Sequence, residues 1–403
     1  MELELLSPAG NMEKLKTAVY FGANAVYFSG KTFGLRAFAG NFSDEEIAQA
    51  VDFCHKHNVK AYVTVNIVAH EKDFTGLKEY LELLDSSKVD AIIVSDLGIM
   101  SFAKKYAPRL DIHVSTQANV TNKYTAKMYA DLGAKRIVLA RELSLSEIKA
   151  IKDCLGDDIE LEAFVHGAMC ISYSGRCLLS NFLAGRSSNH GECVQACRWG
   201  YEISAKGGKG EQYPIEQDER GTYILNSKDL NMVEYIKDLA EAGVTSFKIE
   251  GRMKTAYYVA TVVNAYRRAI DLYLKNEPLT NEIKNELNKA SNRGYSTGLY
   301  FANDEKSVCL ETSTQKQTYD FVAVVLSNDG KYITVEQRNR FKVGDELEVL
   351  SPDDNFNKVI KVTQMKNQKD EEILDAKNVQ EVIKIKCPLK LHCGDILRKI
   401  KVE

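Results

Sequence analysis

Residues 43–66 read SDEEIAQAVDFCHKHNVKAYVTVN, and they join one amphipathic helix to one buried strand. In the first half, apolar residues recur every three to four positions behind Ser43, a favoured helix N-cap residue. The second half is a short apolar run rich in β-branched and aromatic residues. Because apolar residues follow one another there instead of alternating with polar ones, the run predicts a strand that is buried on both faces of a parallel sheet.

The same pattern recurs along the first 252 residues, where helical patterns separate most of the apolar runs. The eight runs lie at 2–7, 23–30, 60–66, 90–96, 111–116, 136–142, 159–167 and 246–252. Strands that alternate with helices predict an α/β fold with a parallel sheet, and a count of eight favours closure into a (β/α)8 TIM-like barrel. A doubly wound open sheet is the structural alternative.

The length of 403 residues exceeds what such a barrel needs, so the sequence predicts two domains. The barrel is assigned to residues 1–305, with an insertion at 167–228 after the seventh strand. Residues 318–403 carry a series of short strand patterns and predict a small C-terminal β-barrel domain. Some barrels of this size bind oligonucleotides and others serve packing or dimerisation, and the sequence leaves both open.

Composition limits the class of protein. Hydrophobic residues make up 44% and charged residues 27%, which suits a globular chain with a large core. The acidic amino terminus lacks the features of a signal peptide, and no apolar run is long enough to span a membrane. We therefore expect a cytoplasmic protein without membrane contact. A formal net charge of -3 provides no global attraction to nucleic acid, so any RNA contact requires a local patch.

Four of the nine cysteines form the strongest chemical signal. Cys170, Cys177, Cys193 and Cys197 are separated by six, fifteen and three residues, within a stretch rich in Gly, Ser and Asn. Thiolates at convergent positions bind zinc or iron–sulfur clusters. Only the last two cysteines have the close spacing common in structural zinc sites, so the pattern favours a cluster and keeps zinc as the alternative.

The remaining five cysteines are interpreted as structural or incidental. They are Cys54, Cys154, Cys309, Cys387 and Cys393. The first two fall on helical patterns, where a cysteine usually behaves as a small apolar residue. Among the five, Cys54 is the first candidate for a functional role.

The segment EAFVHGAMCISYSGRCLLS at 162–180 resembles the signature of the peptidase U32 family. The match runs through Glu162, Phe164, Gly167, Cys170, Gly175, Cys177 and Ser180. Segments that resemble the family elsewhere include ELLSPAGN at the start, HVSTQANV at 113–120, GECVQACRWGY at 191–201 and KIEGRMK at 248–254. Together these segments span most of the predicted barrel.

The resemblance implies an activity other than the proteolysis that the family name suggests. Members of the family are understood as oxygen-independent hydroxylases that carry a 4Fe-4S cluster and act on tRNA, ribosomal RNA or a quinone precursor. The domain layout is most similar to the branch that hydroxylates tRNA, which implies 5-hydroxyuridine at the wobble position with prephenate as the oxygen donor. The four cysteines fall on the cluster-ligand positions of the family. The implied partners are tRNA, a small carboxylate donor such as prephenate, and a homologous U32 subunit.

The peptidase interpretation lacks a motif in the residues themselves. Hydrolysis needs an activated nucleophile or a metal-bound water, and the chain has neither a G-x-S-x-G nor an H-E-x-x-H segment. The alternatives that stay open are a collagenase-like peptidase, a hydroxylase of another RNA such as 23S rRNA, and a non-catalytic iron–sulfur scaffold.

Candidate catalytic residues follow from the barrel, because its active sites form at the carboxyl ends of the strands. His166 ends the seventh predicted strand, where it can act as an acid or base or simply form a hydrogen bond. Glu142 and Glu250 are candidates for proton transfer. His113 lies early in the fifth strand and is predicted to be a core residue.

Other polar groups at strand ends are candidates for binding substrate. They are Asn66, Asp96, Gln117, Arg141, Lys248 and Arg252. Arg141 and Arg252 suit bidentate contacts with a carboxylate, which a dicarboxylate donor requires. The structural alternative for the charged members is ion pairing among themselves, since barrel mouths also contain such pairs.

Overall fold

The computed structural model describes residues 3–35, 40–170, 179–186, 188, 192–196, 216–218, 221–223, 228–301 and 316–401. The strands of the first part of the chain are β1 (Glu4–Pro8), β2 (Ala25–Phe28), β3 (Lys60–Val65), β4 (Ala91–Val94), β5 (Asp111–Val114), β6 (Arg136–Val138), β7 (Glu160–Ala168), β8 (Glu216–Asp218), β9 (Gly221–Tyr223), β10 (Asp229–Asn231), β11 (Val244–Ile249) and β12 (Tyr295–Ser296). The helices are α1 (Met12–Tyr20), α2 (Asp44–Lys56), α3 (Leu77–Ser86), α4 (Leu97–Tyr106), α5 (Lys123–Asp131), α6 (Leu145–Leu155), α7 (Leu179–Ala184), α8 (Ile236–Glu241), α9 (Ala256–Leu274) and α10 (Asn281–Glu286).

Eight parallel strands close into a barrel. The strands β1 to β7 pair in chain order, and β11 pairs with both β1 and β7. The closure confirms the predicted TIM-like barrel and excludes the open sheet. Each of the eight predicted apolar runs overlaps one of these strands. The last strand spans Val244–Ile249, so it begins and ends earlier than the predicted run at 246–252.

Side-chain caps fix where most of the barrel helices begin. Ser43 and Ser144 form capping boxes with Glu46 and Glu147, so both ends of the first turn exchange hydrogen bonds. These helices begin after the carboxyl ends of strands, at the end of the barrel that we call the mouth. Within the described ranges, no helix combines the length and the apolar character required to cross a bilayer.

The interior of the barrel is apolar at its middle and charged at the amino ends of the strands. Tyr27, Tyr62 and four smaller residues form a separate apolar cluster in the middle layer. At the amino ends of the strands, Arg136 bonds Glu4 and Glu162, and all three are largely buried. A polar cavity of about 370 Å³ opens beside this network, at the end opposite to the mouth.

The two ends of the predicted insertion lie next to each other, on β7 and on its partner β10. β10 pairs antiparallel with the end of β7, so that Asp229 lies opposite Ala168 and Asn231 lies opposite His166. β12 adds to the other side of β10. The chain therefore leaves the barrel after β7 and returns beside the point at which it left.

The C-terminal part is a second unit built on an antiparallel sheet. Its strands are β13 (Tyr319–Asn328), β14 (Tyr332–Gln337), β15 (Phe341–Lys342), β16 (Glu346–Leu350), β17 (Val359–Lys361), β18 (Met365–Lys366), β19 (Glu372–Ile373), β20 (Asp375–Ala376), β21 (Val382–Lys386) and β22 (Ile396–Ile400). Eight of them form one sheet around its own apolar core, in the order β17-β16-β22-β13-β14-β21-β18-β19. This confirms a C-terminal β unit, whereas the boundaries 1–305 and 318–403 stay a prediction.

A buried ion network joins the two units. Arg398 of β22 forms a bidentate pair with Glu286 of α10, with Nη–Oε distances of 2.5 and 2.8 Å, and both side chains are fully buried. Glu348 of β16 accepts a further hydrogen bond from Arg398. Paired charges at such depth hold one relative geometry, because neither tolerates the loss of the other.

Candidate active site at the barrel mouth

Cys170 lies at the mouth of the barrel, where the chain continues beyond β7. It stands two residues beyond the end of β7, and its side chain is exposed. The pairing of β7 with β10 supports the backbone up to Ala168. The first predicted cluster ligand is thus placed at the end of the fold where active sites form.

Two hydrogen-bond donors lie close to the sulfur of Cys193. Its sulfur accepts the backbone N–H of Gln195 at 3.4 Å and lies 3.7 Å from the Ser180 hydroxyl. Ser180 is buried, and its oxygen also accepts the N–H of Val194 at 3.3 Å. Donors aimed at sulfur stabilise negative charge on it and are typical of iron–sulfur ligands. The described part of the donor set therefore fits the predicted cluster.

The complete ligand set stays a prediction. Cys177 and Cys197 lie outside the described residues. Among the residues that are described, no group of three or more His, Cys, Asp or Glu side chains converges as a metal site. Cys54 packs in the core on α2, and burial raises the pKa of its thiol to about 12, which makes it unreactive.

Arg141 and Glu250 meet across the mouth. The Arg141 Nη2 lies 3.2 Å from Glu250 Oε2, and Nη1 donates to the carbonyl of Ala168 at 3.2 Å. The guanidinium stacks 4.0 Å from the ring centroid of Phe164. Both charged side chains keep a little exposure, so a ligand can still reach them. Glu142, also predicted as catalytic, follows in the same turn and is half-buried.

Lys248 lies deeper than the sequence suggested. Its Nζ is 2.7 Å from Glu162 Oε1 and 4.4 Å from the ring centroid of Tyr27, within the barrel. Lys248 belongs to β11 and not to the loop after it, which explains its burial. It is a paired cation beneath the mouth.

Arg252 is a buried cation at the mouth itself. Only 5% of the residue is exposed, and its Nη1 donates to the Thr64 hydroxyl at 3.3 Å. Asn66 follows the same strand, accepting the N–H of Leu35 at 3.2 Å and donating to Ser115 at 3.3 Å. The Asn66 amide thus ties neighbouring loops together.

Two other candidates lie further round the rim. Asp96 caps α4 by accepting the N–H groups of Gly98 and Ile99 at 2.7 and 3.0 Å, which accounts for its position without a ligand. Gln117 lies in a short 3-10 turn after β5 and is half-buried. The structure does not bring either of them into the described contacts of Arg141 or Arg252.

His166 faces away from these groups. Its ring lies among Tyr258, Tyr266 and Tyr295, with centroid distances of 6.0, 5.5 and 5.4 Å. Burial, and to a lesser degree Lys254, lowers the pKa of His166 to about 3. The imidazole is therefore neutral at neutral pH, which favours a hydrogen-bonding role over that of a general acid. His113 is buried in β5, as predicted.

Comparison with known proteins places this geometry in a family. The model of peptidase family U32 matches residues 10–309, and that of the peptidase family U32 C-terminal domain matches residues 317–398. The chain belongs to peptidase family U32. This confirms the resemblance seen in the segment at 162–180.

The U32 relatives carry different names. The chain is 41% identical to tRNA hydroxylation protein P1 of Bacillus subtilis, over 99% of this chain and 95% of that protein. It is 42% identical to an uncharacterized protease of Methanocaldococcus jannaschii, over 83% and 79% of the two chains. It is 38% identical to the 23S rRNA 5-hydroxycytidine C2501 synthase of Escherichia coli, over 68% of this chain and 40% of that protein.

Sequence reasoning missed a set of tyrosines in this U32 chain. Tyr300, Tyr266 and Tyr258 donate to the carbonyls of Phe164, Val165 and Glu250, with distances of 2.6, 2.6 and 2.9 Å. They bind the mouth ends of β7 and β11. For Tyr258 and Tyr266 the available signal was the run AYYVATVVNAY in α9, where tyrosines lie among mostly apolar residues.

Proposed function

We propose that this chain is a tRNA hydroxylase that forms 5-hydroxyuridine at the wobble position, with prephenate as the oxygen donor. The observation that carries the proposal is the 41% identity, over nearly the whole of both chains, to a protein named for tRNA hydroxylation. The second U32 domain is part of that shared length. The mouth, with its cations and its exposed cysteine, is the place where the chemistry is proposed.

Cys170, Cys177, Cys193 and Cys197 are proposed to hold a 4Fe-4S cluster. The N–H of Gln195 and the hydroxyl near Cys193 support this assignment for one of the four ligands. A cluster at this position supplies redox or Lewis-acid chemistry beside the substrate.

The buried cations are proposed to bind the carboxylate donor. Arg252 is nearly fully buried and contacts a hydroxyl, so a carboxylate entering the mouth gains a charge-assisted hydrogen bond in a poorly solvated site. Arg141 already bonds Glu250 through one terminal nitrogen and the Ala168 carbonyl through the other, so a second carboxylate would bind the remaining N–H groups of its guanidinium. Lys248 adds positive potential from below, although Glu162 neutralises most of its charge.

Glu250 is proposed to move the proton that leaves the uridine ring. The Arg141 guanidinium contacts its carboxylate at the mouth, and the Glu250 backbone N–H donates to the carbonyl of His166 at 2.8 Å. Glu142 stands in the adjoining turn as the second proton-transfer candidate. Positioned carboxylates of this kind contribute about 10²- to 10⁴-fold to a rate.

Nucleoside mass spectrometry of tRNA tests the proposal. A deletion strain complemented with the wild-type gene is expected to contain 5-hydroxyuridine derivatives, and the same strain carrying Cys177→Ala is expected to lack them. Cys154→Ala is the matched control, because that cysteine is exposed on α6, outside the insertion. Wild-type levels of modification with Cys177→Ala, or in the deletion strain itself, would refute the proposal.

The relative named for 23S rRNA hydroxylation favours a second candidate. The match takes in 68% of this chain but only 40% of the length of that protein. Analysis of 5-hydroxycytidine in 23S rRNA from the same strains separates the two candidates. Loss of the rRNA nucleoside with intact tRNA would transfer the function to ribosomal RNA.

A further inference from the structure

The insertion is closed at its base by a short antiparallel stem. We define the stem as His166–Ala168 of β7 and Asp229–Asn231 of β10. Cys170 stands two residues beyond it. The direction of the stem therefore sets the direction in which this cysteine projects from the barrel.

The Tyr266 hydroxyl lies at the root of the stem. It donates to the carbonyl of Val165 at 2.6 Å and accepts the backbone N–H of Met232 at 3.0 Å. The same N–H also reaches the Val165 carbonyl at 3.0 Å, so one hydroxyl joins the two strands where they meet. The Asn231 Oδ1 and the His166 Nδ1 lie 3.3 and 3.5 Å away.

The Tyr266 hydroxyl contacts β7 at the point where the pairing of β7 with β11 is irregular. Lys248 pairs with Phe164 whereas Ile249 pairs with His166, so Val165 is the extra residue of a bulge. A bulge leaves one residue outside the ladder and turns the strand that carries it. The Val165 carbonyl accepts from both the Met232 N–H and the Tyr266 hydroxyl, so the hydroxyl adds a second hydrogen bond that keeps the bulge in one conformation.

Packing alone does not account for a tyrosine here. Tyr266 is fully buried on α9, and a phenylalanine would fill the same volume without a polar atom. A buried hydroxyl destabilises a core unless it is hydrogen-bonded. Burial raises the pKa of Tyr266 well above its ordinary value, so the hydroxyl stays a donor.

We infer that Tyr266 is a positioning residue, which locks the bulge and the stem and thereby aims Cys170 at the proposed cluster. This inference rests on the proposed function, since the direction of Cys170 matters because of that ligand role. The neutral His166 ring fills the space beside the hydroxyl and completes the lock.

Tyr266→Phe tests the inference, with Tyr257→Phe as the matched control. Tyr257 is buried on the same helix and donates to the carbonyl of Lys289 at 3.2 Å, away from the stem. Hydrogen–deuterium exchange of the metal-free proteins is measured first, on peptides covering 163–170 and 228–233. We expect about tenfold faster exchange in Tyr266→Phe only, which is the effect of one lost net hydrogen bond.

Iron content and the visible and electron paramagnetic resonance spectra are then measured after anaerobic reconstitution. Tyr266→Phe is expected to bind less iron or to show shifted spectra, with the control equal to the wild type. Should Tyr266→Phe fail to fold, Asn231→Ala weakens the same lock and is expected to give the same changes to a smaller degree.

The outcomes separate the two hypotheses. A wild-type protein that binds no iron would contradict the proposed cluster, while faster exchange in Tyr266→Phe would still support the lock. Unchanged exchange and unchanged spectra in Tyr266→Phe would overturn the inference. Equal acceleration of these peptides in the Tyr257→Phe control would also overturn it, because the effect would then come from α9 as a whole.

Discussion

Replacing His113 by glutamine is expected to reduce the amount by which the free energy of unfolding decreases at acidic pH. His113 is buried in β5 with its ring 4.7 Å from that of Tyr62, and its Nδ1 has no partner in the described part of the chain. Burial lowers the pKa of His113 well below its ordinary value, and the positive charges of Arg136, Lys248 and Lys60 act in the same direction. At pH 5.0 the folded protein therefore keeps this imidazole neutral, whereas the same side chain in the unfolded chain is protonated.

The magnitude follows from proton linkage. Because the pKa of His113 is lowered by folding, the stability is complete above the pKa of the unfolded chain and declines as the pH falls below it. With an unfolded pKa of about 6.5, the free energy of unfolding decreases by about 2 kcal/mol between pH 7.5 and pH 5.0. His166 adds a second step of about the same size over this interval, since its pKa in the folded protein is about 3.

Urea denaturation of the metal-free protein at pH 7.5 and pH 5.0, followed by circular dichroism, measures this difference. His113→Gln is expected to lose about 2 kcal/mol less than the wild type over the interval. His57→Gln, at the exposed end of α2, is the control and is expected to retain the wild-type difference. If His113→Gln retained it as well, the reasoning from burial would be wrong.

Three further predictions concern contacts described above. Arg398→Met removes the bidentate partner of the buried Glu286, which then keeps only Lys289 at 3.2 Å, and is expected to destabilise the chain by about 3–5 kcal/mol in the same denaturation assay; adding Glu286→Leu is expected to restore most of the loss. Glu250→Gln is expected to lower tRNA hydroxylation by about 10²-fold or more without changing the melting temperature by more than Arg141→Gln does, as measured by nucleoside analysis and calorimetry. Gly167→Ala is expected to lower iron binding and stability, because its φ is +108° and an added Cβ would lie 2.6 Å from the Glu250 carbonyl; unchanged iron content would contradict this.

The barrel could be predicted because its signal is local and repeated. Each strand is a short apolar run and most are followed by a capped amphipathic helix, as at Ser43 and Ser144, so the count of eight was available from the sequence. The sequence also predicts a candidate site at the carboxyl ends of the strands, but it does not predict the contacts of the residues there. It assigns Asp96 and Lys248 to substrate binding, whereas in the structure Asp96 caps a helix and Lys248 pairs with Glu162 inside the barrel.

The sequence by itself determined the class of fold, the family and the segment that carries the cysteines. These depend on periodicity and on residues close together in the chain, which any structure must respect. The tertiary structure alone decided which charges meet and which way strands turn. Arg141 and Glu250 are 109 residues apart, and Tyr266 meets Val165 across 101 residues. Such pairs form only when closure of the barrel brings distant elements together, because a side chain's partners depend on three-dimensional packing and not on its neighbours in sequence.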